Sequence, residues 1–423
     1  MSPSSPTQNN PALHRFAIAT AVAALGLIAL GGLVTSRGVG MAVPDWPNTY
    51  GYNMFFFPVS QWIGGVFYEH AHRLAASSVG GLTCALALWL HGRPARRFMR
   101  FAGALFVVLA VITVVRMPAR RADCVVLVAT GGLLLGGSAL WPRTAPSSKL
   151  LRRLGLAAVA AVILQGVLGG LRVVWFKDQI GIFHAVLAQM FLVLLCVIAW
   201  LSRPGFGSRR PIETSAPRLL YALFASGTLL ILGQLALGAT MRHEHAGLAI
   251  PDFPLAYGRV WPAMDPASVA LYNQHRLEVV PTNAITATQI GLQMAHRLTA
   301  LMILGVVGAA AWAARAHYGP RHPVARLALL WLTAIGVQVV LGAVTIWSGK
   351  AAALATGHVV VGALSLVAGA FVCLRAYPRA AERPVGDALP DRRFSPSNPA
   401  GLPSLAGTPR TPVLSTALPA ARR

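Results

Sequence analysis

Four histidines carry the chemistry this sequence could do: His72, His184, His296 and His358. They stand far apart, each followed or preceded by long apolar runs. His184 follows Gln165 by 19 residues, and His358 follows Gln338 by 20. Single imidazoles on separate helices, taken in pairs, suit the two axial positions of an iron porphyrin. Zinc would want three or four donors converging at about 2 Å, with local clustering of His, Cys and carboxylate. That clustering is missing here, so a heme held between helices is the chemistry these four residues fit.

Their neighbours divide the two pairs. Glu69 stands three residues before His72, one helical turn away on roughly the same face. The matching position before His296 is Gln293. A carboxylate at a membrane boundary tends to be functional. Glu69 therefore marks the first pair for chemistry, by proton transfer or by stabilising positive charge on a reacting carbon. The second pair then reads as an electron-transfer site. Arg73 and Arg297 each follow a histidine directly, and their forks match porphyrin carboxylates. Gly166, Gly169, Gly170 and Gly342 permit close approach of helices or of a flat ring. Trp46, Trp62, Trp175, Trp261 and Trp347 read as an interfacial belt.

The elements that position these residues must lie in a membrane. Hydrophobic residues make up 55% of the 423, and charged residues only 11%. A soluble chain of this size could not cover itself with so little charge. The net charge of +24 does not signal a nucleic-acid partner, because the arginines sit in short loops between apolar runs. The four cysteines, Cys84, Cys124, Cys196 and Cys373, lie in or beside apolar runs and suggest neither a disulfide framework nor a zinc site.

Runs long enough to span a core of about 30 Å fall near 13–35, 70–91, 154–174, 181–201, 217–241, 289–314, 325–347 and 353–376. The first starts near Leu13 and is too long for a signal-peptide core, so it reads as a retained helix. The expected fold class is an all-α polytopic membrane protein: two tandem four-helix bundles, eight core helices, plus an extra apolar hairpin at 101–141. The bundles are expected over 13–203 and 217–376, joined by a linker at 204–216. Residues 1–12 read as an N-terminal tail, and 377–423, rich in Pro, Ala, Ser and Arg, as a disordered one.

Basic loops alternate with poorer ones. Arg93, Arg96, Arg97 and Arg100 share one loop; 143–153, 203–218 and 315–326 are basic as well. The intervening loops hold few cations. Both termini are therefore expected in the cytoplasm of a bacterial inner membrane, with all four histidines toward the outer side. The hairpin strains this rule. If Phe101–Val115 and Cys124–Trp141 both cross, Arg116, Arg120 and Arg121 lie outside. A shallow or re-entrant hairpin is the alternative, and either way the crossings added must be even.

The frame is repeated. Pro44-Asp45-Trp46-Pro47 answers Pro251-Asp252-Phe253-Pro254, and Ala71-His72-Arg73-Leu74 answers Ala295-His296-Arg297-Leu298. Gln165-Gly-Val-Leu-Gly169 answers Gln338-Val-Val-Leu-Gly342. Four correspondences in one order, counting His184 against His358, make this a parallel repeat.

These motifs, with His184-Ala-Val-Leu-Ala-Gln189 and Gly357-His358, resemble the heme A synthase family over about 13–376, outside the insertion. The resemblance implies oxidation of the C8 methyl of heme O to a formyl group, by successive hydroxylations and loss of water. It implies that His72 and His184 face the substrate heme near Glu69, and that His296 and His358 ligate a resident heme b. It also implies membrane lipid as surroundings and a role in cytochrome oxidase assembly; a heme O synthase and a membrane electron donor are candidate partners, and the sequence leaves the oligomeric state open. Many members carry cysteines beside the Pro-Asp-Trp-Pro motif. Here Val43, Thr49, Ile250 and Ala256 stand there instead, so a redox-active cysteine pair is not available. The rival reading is a two-heme cytochrome that only passes electrons, which has no need of Glu69. A transporter would carry polar residues or broken helices near the midplane, and these helices are apolar there.

Overall fold

A computed structural model describes residues 10–144, 146–205, 216–275 and 284–377. The tail expected at 377–423 lies, apart from Tyr377, outside the described residues, as do the linker core at 206–215 and residues 1–9 of the expected N-terminal tail, whose Pro11 and Ala12 instead begin the first helix. Among the described residues there are eleven helices and no strands, only two isolated bridges. Ten helices are long and apolar enough to cross a membrane, making this a multi-pass membrane protein.

Helices α1 (Pro11–Ser36), α2 (Gly65–His91), α5 (Lys149–Trp175) and α6 (Asp178–Leu201) pack in a ring, each against two others. A second ring joins α7 (Arg218–His243), α9 (Ala287–Tyr318), α10 (Pro323–Trp347) and α11 (Ala352–Ala376). The rings meet where α1 lies on α11 and α6 on α7. Apolar side chains lock each ring, with Leu86, Leu90, Leu192 and Leu195 buried in the first and Phe224, Val307 and Trp331 in the second. The eight long apolar runs of the sequence are these eight helices, each a few residues longer than its apolar run.

Local chemistry sets the helix ends. Asn10 caps α1 through Leu13 N–H at 3.0 Å, with Pro11 in the first turn. Thr286 and Gln289 close a capping box on α9. Gly92 breaks the chain between α2 and the next helix at φ 61°, a conformation glycine adopts without strain.

The insertion is a pair of full-length helices, α3 (Arg93–Arg116, 24 residues) and α4 (Arg121–Leu140, 20 residues). At 1.5 Å per residue they reach about 30–36 Å. They run the whole height of α2. At one end Arg93 N–H donates to Thr144 O and Ser147 N–H to Leu90 O. At the other, Asn53 Nδ2 donates to Asp123 at 2.8 Å, tying the start of α4 to the loop after α1. The hairpin is thus as tall as its neighbour, long enough for two crossings, and Arg116, Arg120 and Arg121 stand at the same end as the histidines. The two helices touch backbone to backbone, since a β-carbon on Gly131 would lie 2.9 Å from Gly103 O.

Gly131→Leu is expected to force α4 off α3 and expose Cys124, which is buried at the start of α4. Thiol labelling in membranes, with the other three cysteines changed to alanine, checks this. Labelling no faster than in the Gly131 parent would contradict the packing.

Candidate functional site

Each of the four histidines rests on a glycine of the helix beside it. A β-carbon on Gly31 would lie 3.1 Å from His72 Cε1, one on Gly169 3.3 Å from His184, and ones on Gly238 and Gly342 3.4 Å from His296 and His358. The chain therefore makes four equal cradles: α1 for α2, α5 for α6, α7 for α9 and α10 for α11. In all four rings Nδ1 is buried without a hydrogen-bond partner. Burying such a group unpaired costs about 1–3 kcal/mol, so four together call for a ligand or a tightly fixed frame.

The rings also come in pairs. The centroids of His296 and His358 are 6.4 Å apart at 59°. Two trans imidazoles on one iron, each bonded at about 2 Å, have centroids roughly 6 Å apart. His72 and His184 lie within electrostatic range of each other and of Arg172. The spacing of His296 and His358 thus fits one bis-imidazole porphyrin, and His72 and His184 offer the same donor types for a second. Among the described residues no group of three or more His, Cys, Asp or Glu forms a cage for a bare metal ion.

Glutamines brace the cradles. Gln165 Nε2 donates to His184 O at 3.0 Å, and Gln234 Nε2 to His296 O at 2.9 Å. Gln234 was not singled out in the sequence. Its signal is the spacing Gln-x-x-x-Gly, shared by Gln165–Gly169, Gln234–Gly238 and Gln338–Gly342.

The loops over the histidine end are built twice from one plan. Asp45 accepts from the N–H groups of Tyr50 (2.7 Å) and Gly51 (2.8 Å). Asp252 accepts from Tyr257 and Gly258 at the same two distances, 2.7 and 2.8 Å. Tyr50 and Tyr257 hydroxyls return to Ala42 O and Ala249 O. Trp46–Pro47 and Phe253–Pro254 are both cis. Trp46 lies over Gly170, where a β-carbon would collide with its ring, and Trp347 donates to Phe253 O. These two tryptophans fasten loops and are exposed as well, as Trp175 and Trp261 are.

Arg73 and Arg297 are the clamps of this plan. Arg73 donates to the carbonyls of Val43, Asp45 and Asn48 and to Glu69 Oε1. Arg297 donates to Asp252 O and Leu255 O. Their Nη donors, expected at porphyrin carboxylates, engage loop carbonyls here. The cations in electrostatic range of the imidazoles include Arg172 for the first pair and Arg242 for His358. Arg242 also donates to Gly32 O and Ser36, joining the two rings. Nearby, in the turn before α11, burial and then the Arg242 charge hold the Lys350 ammonium below its usual pKa.

Glu69 and Gln293 do the same mechanical work. Glu69 Oε2 accepts from Val43 N–H at 2.8 Å, and Gln293 Oε1 from Ile250 N–H at 2.7 Å. Glu69 adds a 2.8 Å ion pair with Arg73. Both are nearly fully buried. Val43, Thr49, Ile250 and Ala256, in the places where cysteines were looked for, are buried inside the loops. His70 is wedged between Phe57 and Trp62 with Thr49 at 3.2 Å, where the second half has Met294.

The profile of the COX15-CtaA family, described as cytochrome oxidase assembly protein, matches residues 14–369. The chain belongs to this family. It is similar to the heme A synthase of Methylobacterium radiotolerans, 27% identical over 213 residues, which cover 48% of this chain and 56% of that protein. The heme A synthase of Listeria monocytogenes is 25% identical over 228 residues, covering 53% and 66%. That of Anaplasma marginale is 29% identical over 240 residues, covering 54% and 64%. The chain thus spans between 56% and 66% of the length of these curated relatives.

A valine at Gly342 is expected to push His358 from its cradle and lower the porphyrin bound by the purified protein, at a packing cost of roughly 1–3 kcal/mol. Gly336→Val, on the same helix but facing open space, is the control. Equal porphyrin content in both variants would count against the cradle.

Proposed function

We propose that the chain is a heme A synthase, an oxidoreductase that converts the C8 methyl of heme O to a formyl group. The methyl is hydroxylated to the alcohol and then to the gem-diol, each a two-electron oxidation that takes its electron acceptor and oxygen atom from a co-oxidant outside the chain, and the diol loses water to leave the aldehyde. The observation that carries this reading is the pairing of four glycine-cradled imidazoles in a frame of this family, with a carboxylate beside one pair only. His72 and His184 hold the substrate heme. His296 and His358 hold a heme b, whose chemistry when bound is one-electron transfer.

Glu69 brings a negative charge to the first half that Gln293 does not bring to the second. Hydrogen bonds from Val43 and Arg73 fix its two oxygens, so it is oriented before substrate arrives. Positive charge developing on the reacting methyl carbon is stabilised by such a fixed carboxylate, and Glu69 is also the group able to take a proton there. Arg73 and Arg297 act as positioning residues for the outer loops. Arg172 and Arg242 supply the positive charge that offsets porphyrin carboxylates. The orientation this reading carries is that of a bacterial cytoplasmic membrane, with both termini inside and the histidine end outside. A heme O synthase and a membrane electron donor are its partners.

The second half supplies the cleanest variant. Gln293 shows that an amide makes the loop tether, so Glu69→Gln is expected to keep the fold and the bound hemes. Product formation should fall by about 10²-fold or more, the usual contribution of a proton-transferring group. The assay is expression in a host that makes heme O but no heme A, followed by heme extraction and chromatography. Heme b without heme A or hydroxylated heme O in the unaltered chain would sink the enzyme reading. Unchanged turnover in Glu69→Gln would remove the role given to Glu69.

A further inference from the structure

The end of the molecule opposite the histidines carries a feature the heme chemistry does not use. Arg93, Arg96, Arg97 and Arg100 from the first two turns of α3 meet Arg143 from the α4–α5 turn around an open cavity of about 210 Å³. The cup is fixed by its own backbone. Arg93 Nε donates to Arg143 O at 3.0 Å, and Arg96 donates to Ser138 O and Ala139 O at 2.8 and 3.2 Å. Arg97 and Arg100 are exposed.

Nothing in the described protein neutralises this charge. Every acidic residue of the described segments falls in a loop or helix terminus at the histidine end. The two ion pairs among the described residues, Arg73–Glu69 and Arg120–Asp123, are there too. Residues 206–215 hold Glu213 against Arg209 and Arg210, and 378–423 hold more arginines than carboxylates, so neither segment brings net negative charge. A net counter-charge for the cup must come from outside the chain. Directly beside the cup Phe98 and Phe101 are 61% and 71% exposed, and the apolar flank continues along α3 through Leu105, Val108 and Ile112. Arginine forks above an apolar flank at a membrane boundary match a phosphate headgroup joined to acyl chains.

We infer that the α3–α4 hairpin is a binding site for an anionic phospholipid, with its phosphate in the five-arginine cup and its acyl chains along Phe98 and Phe101. The arginine of the cup contacts headgroup oxygens in pairs, which a zwitterionic lipid with its own ammonium satisfies less well. This site is independent of the heme pairs, which lie at the other end.

The test uses the full-length protein, delipidated in non-ionic detergent and titrated with short-chain phosphatidylglycerol, phosphatidylcholine or inorganic phosphate, with native mass spectrometry counting bound molecules. Phosphatidylglycerol should be retained in preference to phosphatidylcholine and resist millimolar phosphate. Arg97→Gln with Arg100→Gln should weaken it about 25-fold, at roughly fivefold per arginine near a membrane surface. Arg143→Gln, from the other wall, should weaken it about fivefold by the same measure. Porphyrin content should be unchanged in both, which shows the variants folded. Equal retention by the variants, or equal retention of phosphatidylcholine, would overturn the proposal. Displacement of the lipid by inorganic phosphate would assign the cup to free phosphate and overturn the lipid.

Discussion

The contact between an imidazole and a glycine on the next helix is what the rest of this structure serves. In lipid the backbone must satisfy itself within helices, so a site can be built only from side chains projecting between them. A histidine can reach the seam between two helices only where its neighbour has no β-carbon. The paired histidines occupy four such places, at Gly31, Gly169, Gly238 and Gly342, and His243 packs on Gly181 in the same way. Helix pairing, the bracing glutamines and the clamped loops all fix the height and tilt of those rings.

Duplication explains how one chain holds two such sites and differentiates them. The loop plan of Asp45 and Asp252 is the same down to its hydrogen-bond distances, which differ by no more than 0.1 Å. At one equivalent pair the divergence keeps the mechanical role and changes the charge. Glu69 and Gln293 tether equivalent loop amides, but only one is an acid. A buried tether can be exchanged for a charge because Arg73 is already beside it.

The periodic parts of this account were legible in the sequence. Long apolar runs have no alternative to helices in a bilayer, so the eight core spans could be read directly. The repeat was legible for the same reason: Pro-Asp-aromatic-Pro and Ala-His-Arg-Leu sit at fixed order. What could not be read was which partner each polar side chain takes. Arg73 and Arg297 looked suited to carboxylates, and the loop carbonyls they also bond are not advertised by the sequence. Gln234 lacked a neighbouring motif, and its role emerges only from the spacing to Gly238. The hairpin was ambiguous because three arginines at its tip oppose the charge rule; Asn53 bonding Asp123 decides its height, and that contact joins residues 70 apart.

The central claim is that the histidines act as two separate axial pairs. Electron paramagnetic resonance of the ferric protein, purified with heme b alone, tests it most directly. A low-spin bis-imidazole signal is expected, lost when either His296 or His358 is replaced by leucine, which cannot ligate iron, and kept when His72 or His184 is. A low-spin signal that survives replacement of both His296 and His358, or that vanishes with His72, would contradict the pairing.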